Sequence, residues 1–130
     1  MPTVSIPKST QVPPAPQTTE SLTATLVNQT SGDLVLVKAS TNMQWIIPPP
    51  SVIPAGQSAQ FDSPGDFSNP SAGIVVYQAV AANNATFSLE WTIPSVGKND
   101  ITWQCAPGLN AQESGSLDGW NLSASWYIST

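Results

Sequence analysis

The feature that most constrains the fold is a strict alternation of apolar and polar residues in short segments. In TFSLEWTI, residues 86–93, every second residue is apolar: Phe87, Leu89, Trp91 and Ile93. Successive side chains of a β-strand point to opposite faces, so this period of two predicts a strand with one buried face. No segment shows the period of about 3.6 residues that is typical of an amphipathic helix.

Further segments have β-strand patterns and are separated by turns rich in Gly, Pro, Asn and Ser. They are SLTATLVN (21–28), LVLVKAS (34–40), GQSAQFDS (56–63), IVVYQAVA (74–81), DITWQCA (100–106) and WNLSASWYIS (120–129). Residues 34–40 are apolar on both faces, which predicts a covered strand, and residues 107–119 read as a loop. The pattern predicts an all-β fold, an antiparallel β-sandwich of about 7–9 short strands.

The N-terminal 19 residues differ from the rest of the chain. They are rich in Pro, Thr and Ser and carry hardly any periodicity, which predicts a disordered tail over residues 1–19. Residues 20–130 are predicted to form a single β-sandwich domain, a usual size for one hydrophobic core.

Charge and composition exclude several functions. The net charge is −5, and the cations are three lysines, Lys8, Lys38 and Lys98, so neither nucleic acid nor anionic lipid is an expected partner. The chain has no histidine, the usual general base and metal ligand. We therefore expect no enzyme activity, no catalytic residues, no metal and no cofactor.

The sequence has no signal peptide pattern and no apolar run of about 20 residues that would span a membrane. We expect synthesis in the cytosol, with later release or secretion left open. The one cysteine, Cys105, lies on the apolar face of a predicted strand and is expected to be a core residue.

The tryptophans fall into two groups. Four occupy apolar faces of predicted strands and are expected in the core: Trp91, Trp103, Trp120 and Trp126. Trp45 instead lies in NMQWIIPPPSV, residues 42–52, where the prolines exclude a helix and a central strand. We expect this segment to cross between strands or sheets. Trp45 either seals one end of the sandwich or presents a hydrophobic patch, and both interpretations stay open.

Three blocks in order resemble a known family. They are WIIPPPSVIPAGQSAQF (45–61), GIVVY (73–77) and FSLEWTIPSVGKN (87–99). Together they resemble the small β-sandwich proteins of the aegerolysin-like, bacterial crystal-toxin type, over about residues 21–130. Met43 stands where that pattern usually has Gly, and Thr92 stands where it usually has an acid.

The resemblance implies a toxin or defence protein of the cytolysin type that binds membrane lipid or a surface glycan and forms a pore with a partner. The residues expected to contact a ligand or membrane are Trp45, Ile46, Ile47 and Tyr77. Tryptophan favours the membrane interface, and the negative net charge favours a neutral or zwitterionic lipid. Tyr77 lies on a largely apolar strand, where core packing is favoured over contact with a ligand.

Two alternatives compete with lipid binding. One is a glycan-binding, lectin-like module, since aromatic faces such as those of Trp45 and Tyr77 also stack on sugars. The other is a structural or self-assembling protein, favoured by the low charge of the chain. A homo-oligomer or a partner protein is compatible with each interpretation.

Overall fold

The computed structural model describes residues 20–130, which form two β-sheets packed face to face. Within these residues there are nine strands and one short 3₁₀ helix, Val80–Ala82. The strands are β1 (Glu20–Asn28), β2 (Leu34–Thr41), β3 (Val52–Ile53), β4 (Ser58–Gly65), β5 (Ser71–Ala79), β6 (Ala85–Ile93), β7 (Asp100–Cys105), β8 (Asn110–Ser116) and β9 (Asn121–Ser129). The predicted all-β sandwich is confirmed, and the tail predicted over residues 1–19 lies outside the described residues.

The strands are divided between a sheet of four and a sheet of five. Sheet A has the order β4-β1-β9-β8, and sheet B has the order β3-β2-β5-β6-β7. Neighbouring strands are antiparallel with one exception within the described chain. β1 and β9 pair in parallel, with Leu22 opposite Leu122, a departure from the purely antiparallel sandwich that the sequence predicted.

The core lies between the sheets and follows the alternation seen in the sequence. Leu22 and Leu26 of β1, Leu89 of β6 and Ile128 of β9 have no exposed surface. Burying an apolar side chain of this size stabilises the folded state by about 1.5–3 kcal/mol. The polar residues between them face outward, so the period of two sets the face that each strand buries.

Two elements differ from the sequence prediction. Residues 107–119 read as a loop, yet β8 occupies part of them and pairs along its length with β9. β2 was expected to be covered on both faces, but its register shifts between Leu36 and Lys38, and Val37 is exposed. The extra residue of this β-bulge shifts the alternation of the strand, so Lys38 lies opposite Val76 and Ala39 lies opposite the buried Val75.

The proline-rich segment crosses between the sheets, as predicted. It leaves sheet B after Thr41 and pairs briefly with β4 of sheet A, where Ile46 N donates to Asp62 O (3.0 Å) and Asp62 N donates to Ile47 O (2.8 Å). The chain then returns to sheet B as β3, beside β2. The segment therefore closes the edge of the sandwich between β4 and β3, and its outer side is called the proline edge below.

Three loops meet at one end of the sandwich. They are residues 66–70 between β4 and β5, residues 94–99 between β6 and β7, and residues 117–120 between β8 and β9. Hydrogen bonds tie them to each other and to β1: Ser95 Oγ donates to Phe67 O (3.2 Å), and Ser21 N donates to Trp120 O (2.8 Å). These loops are called the loop end. Within residues 20–130, no helix has the length and apolar character needed to span a membrane.

Candidate functional site

Each loop of the loop end exposes one large apolar side chain. Phe67 is 72% exposed, Val96 is 87% exposed and Trp120 is 49% exposed. Single exposed apolar residues are common on protein surfaces, but three that converge from separate loops at one end are not explained by packing. The loop end is therefore the strongest candidate for a functional surface in the described chain.

Local turn chemistry presents these side chains. Asp66 Oδ1 accepts hydrogen bonds from Ser68 N and Asn69 N, both at 2.8 Å, and this turn places Phe67 at its tip. Val96 precedes Gly97, whose φ of +103° lies in a region that other residues rarely adopt. In these two loops the turn is thus set by residues other than the apolar one, and in the third loop the carbonyl of Trp120 is held by Ser21 N.

A cavity of about 400 Å³ lies beside Trp120, between residues 97–99 and residues 117–120. Asn99 holds its two walls together, because Asn99 Nδ2 donates to Leu117 O (3.2 Å) and to Gly119 O (2.7 Å). Lys98 and Asp118 line the same cavity, and no salt bridge joins them to each other. The cavity therefore combines a cation, an anion and an aromatic ring that are available to a ligand.

Trp45 seals the edge of the sandwich. It is partly buried, and its ring packs against Phe61 with centroids 5.7 Å apart and against Trp91 with centroids 6.1 Å apart. Of the two interpretations left open by the sequence, this geometry favours the seal. The next residues turn outward: Ile46 is 53% exposed and Ile47 is 40% exposed, and they form the apolar part of the proline edge.

The proline edge begins at the loop end. Asn42, the first residue after β2, donates through Nδ2 to Pro70 O (3.1 Å) in the first of the three loops. Of the four residues predicted to contact a ligand, the structure thus brings Ile46 and Ile47 to an exposed surface that starts beside the loop end. It turns Trp45 inward, where the ring supports that surface from beneath.

Tyr77 is not part of this surface, and its prediction as a ligand-contacting residue is wrong for this structure. Its side chain has no exposed area, and its hydroxyl donates to the Pro50 carbonyl. Burial raises the pKa of the Tyr77 phenol above its ordinary value. The physical reason is register, because Tyr77 lies on the inward face of β5 between the buried residues Val75 and Ala79.

The tryptophan predictions are partly correct. Trp91 and Trp126 lie in the core as expected, whereas the prediction for Trp120 is wrong because it lies just before β9 at the loop end. Trp103 lies partly buried at the edge of sheet B, where its Nε1 donates to Glu113 Oε1 of β8 (3.0 Å).

Sequence reasoning missed Phe67, Val96 and Trp120 as surface residues. A signal was present, since each lies among turn-forming residues, in DFSNP, PSVGKN and DGWN. A large apolar residue inside such a turn is a candidate for exposure. That all three turns meet at one end follows only from the order of the strands.

No family model and no curated protein matches the chain. Solved structures are similar to it in fold. The crystal structure of IP-1A from Alcaligenes faecalis has a TM-score of 0.67 and 12% sequence identity, over 86% of this chain and 91% of that one. The RahU protein in complex with a TRIS molecule has a TM-score of 0.63 and 15% identity, over 87% of this chain and 96% of that one. At these identities the likeness shows a shared fold.

Proposed function

We propose that the protein is a non-enzymatic β-sandwich that binds membrane lipid, of the aegerolysin-like cytolysin type, and that the loop end enters the membrane interface. One observation carries the proposal: Phe67, Val96 and Trp120 extend from three separate loops at the same end of the sandwich. The three sequence blocks that resemble that family support it.

The energy of such an anchor is sufficient for reversible binding. Moving an exposed side chain such as Phe67 or Val96 out of water gains about 1.5–3 kcal/mol when it is fully buried. Trp120 adds a ring with an apolar body and one N–H donor, a combination that favours the membrane interface. Together the three side chains supply about 3–6 kcal/mol, which corresponds to dissociation constants from roughly millimolar down to tens of micromolar.

Charge selects among lipids. The chain carries a net charge of −5, and Lys98 is the cation that lines the cavity of the loop end. An anionic membrane surface would repel such a protein, so the partner is a membrane with neutral or zwitterionic headgroups. Ile46 and Ile47 extend the contact along the proline edge or meet a second protein there.

Vesicle co-sedimentation tests the proposal, with Phe67→Ser/Val96→Ser compared with the wild type on zwitterionic phosphatidylcholine vesicles. Val80→Ser is the matched control, because Val80 is 54% exposed but lies in the 3₁₀ helix after β5, at the opposite end of the sandwich. The double substitution removes about 2–4 kcal/mol of transfer energy, so the dissociation constant should rise roughly 30- to 700-fold. Equal binding by the double variant, or loss of binding in the control alone, would sink the proposal.

Pore formation and toxicity form a separate part of the proposal. Release of an entrapped dye from vesicles, with the protein alone and with a candidate partner protein, measures them directly. Sedimentation of the protein without lipid checks the alternative of a self-assembling protein. Self-assembly that removes Phe67 and Val96 from solvent before any lipid is added would favour that alternative over membrane binding.

A further inference from the structure

We propose that the cavity of the loop end is a carbohydrate subsite, and that its ligand is a neutral sugar headgroup of a membrane glycolipid. That the cavity binds a sugar is argued from its geometry. That this sugar belongs to a membrane glycolipid rests on the proposed membrane binding. The juxtaposition that carries it is Trp120, Asp118, Lys98 and Asn99 around one cavity, between loops that also expose Val96.

The cavity has fixed walls. Both hydrogen bonds of Asn99 Nδ2 end on carbonyls of the opposite loop, at Leu117 and Gly119. The amide therefore holds residues 97–99 against residues 117–120, and Asn99 Oδ1 remains available as an acceptor. At about 400 Å³ the volume lies in the lower part of the range of roughly 300–1,000 Å³ that small-molecule sites occupy, which suits a monosaccharide or disaccharide.

The lining chemistry fits sugar hydroxyls. A carboxylate such as that of Asp118 accepts hydrogen bonds at both oxygens, and an ammonium group such as that of Lys98 donates several. Neighbouring hydroxyls of a pyranose can meet both needs, since each hydroxyl donates and accepts. Trp120 is half exposed at the cavity wall, where the apolar C–H face of a pyranose can pack on its ring.

The same lining disfavours an anionic headgroup. Phosphate sites in proteins use paired or clustered cations, whereas this cavity is lined by one lysine and by an aspartate that repels phosphate oxygens. The carboxylate of an acidic sugar is repelled by Asp118 in the same way. A neutral sugar needs no cluster of cations and is not repelled by Asp118. The apolar loops beside the cavity would place such a headgroup at the membrane surface.

Two measurements test the inference. Saturation-transfer NMR with methyl glycosides of glucose, galactose, mannose and N-acetylglucosamine reports on the sugar alone. Co-sedimentation with phosphatidylcholine vesicles, with and without a neutral glycosylceramide, reports on the lipid. Asp118→Asn keeps the size of the side chain and removes its charge, and Asp33→Asn makes the same charge change at an exposed site outside the loop end.

We expect saturation transfer to at least one glycoside and tighter binding to the glycosylceramide vesicles. The affinity for the glycoside and the affinity for the glycosylceramide vesicles should each fall about tenfold in Asp118→Asn and stay unchanged in Asp33→Asn. Near-ultraviolet circular dichroism confirms that each variant is folded.

Other outcomes separate the two proposals. Binding to phosphatidylcholine vesicles that glycosylceramide does not improve and Asp118→Asn does not change would overturn the sugar subsite and leave membrane binding intact. Binding to glycosides in solution without binding to any vesicle would overturn the glycolipid source and the proposed membrane function together. Absence of binding to all glycosides and to glycosylceramide vesicles would overturn the subsite outright.

Discussion

Replacing Trp45 by alanine tests whether this residue is a seal of the sandwich or a contact with a ligand. The ring packs at centroid distances of 5.7 and 6.1 Å against Phe61 and Trp91, and both of those residues are almost fully buried. Removing a fully buried aromatic ring costs about 3–5 kcal/mol, and each aromatic pair adds about 0.5–1.5 kcal/mol beyond buried area. Because Trp45 is only partly buried, we expect Trp45→Ala to lower the free energy of unfolding by about 2–4 kcal/mol.

Urea denaturation measures this loss, with the free energy obtained by linear extrapolation. Ile46→Ala is the matched control, because Ile46 is adjacent in the chain and exposed, and it should cost below about 1 kcal/mol. Trp45→Phe should recover part of the stability that alanine loses. The seal would be refuted if Trp45→Ala lowered the free energy of unfolding no more than Ile46→Ala does and also abolished vesicle binding. Trp45 would then be a residue that contacts the ligand.

Three further predictions follow from buried groups. Burial raises the pKa of Tyr77 above its unfolded value near 10, so the contribution of Tyr77 to stability is present below about pH 10 and should fall as the pH rises further. Urea midpoints between pH 8 and 11 measure this fall, and midpoints that do not change with pH would contradict the prediction. Gly73→Ala would place a Cβ 2.7 Å from Trp91 Cζ2 and even closer to Ser40 O. The free energy of unfolding should therefore fall by about 1–3 kcal/mol, and a variant as stable as the wild type would contradict this close packing. Burial raises the pKa of the Cys105 thiol, so iodoacetamide should modify it more slowly at pH 8 than it modifies glutathione, and equal rates would contradict this placement.

The central strands could be predicted because they bury one face. In β6, Phe87, Leu89 and Trp91 alternate with polar residues, and the structure buries all three. The same pattern placed Leu22 of β1 and Trp126 of β9 in the core. Because alternation reflects the burial of one face, these strands could be predicted without knowing which strands they pair with.

Edge strands could not be predicted in this way. β8 has the sequence NAQESGS, and nearly all of its residues are exposed. Its conformation comes from backbone hydrogen bonds to β9, which leave no hydrophobic period in the sequence. The bulge in β2 could not be predicted for a related reason. One extra residue changes which side chains of the strand face the core, and the composition of the strand does not show it.

The sequence anticipated one exposed part of the candidate surface, and contact of those residues with a ligand stays a prediction. The proline segment drew attention to Ile46 and Ile47, and both are exposed. Phe67, Val96 and Trp120 are far apart in the chain, and each is one apolar residue in a turn. Their convergence depends on which ends of β4, β6 and β8 meet, which is a property of the strand order.

The most direct test of the central claim is to place an environment-sensitive fluorophore at the loop end. An NBD label would be attached to Val96→Cys and, in a second protein, to Val80→Cys, both in a Cys105→Ser background. On zwitterionic vesicles we predict a blue shift and an intensity increase for the label at position 96, and no change at position 80. A response at position 80, or no response at position 96 while the protein co-sediments with the vesicles, would contradict membrane entry through the loop end.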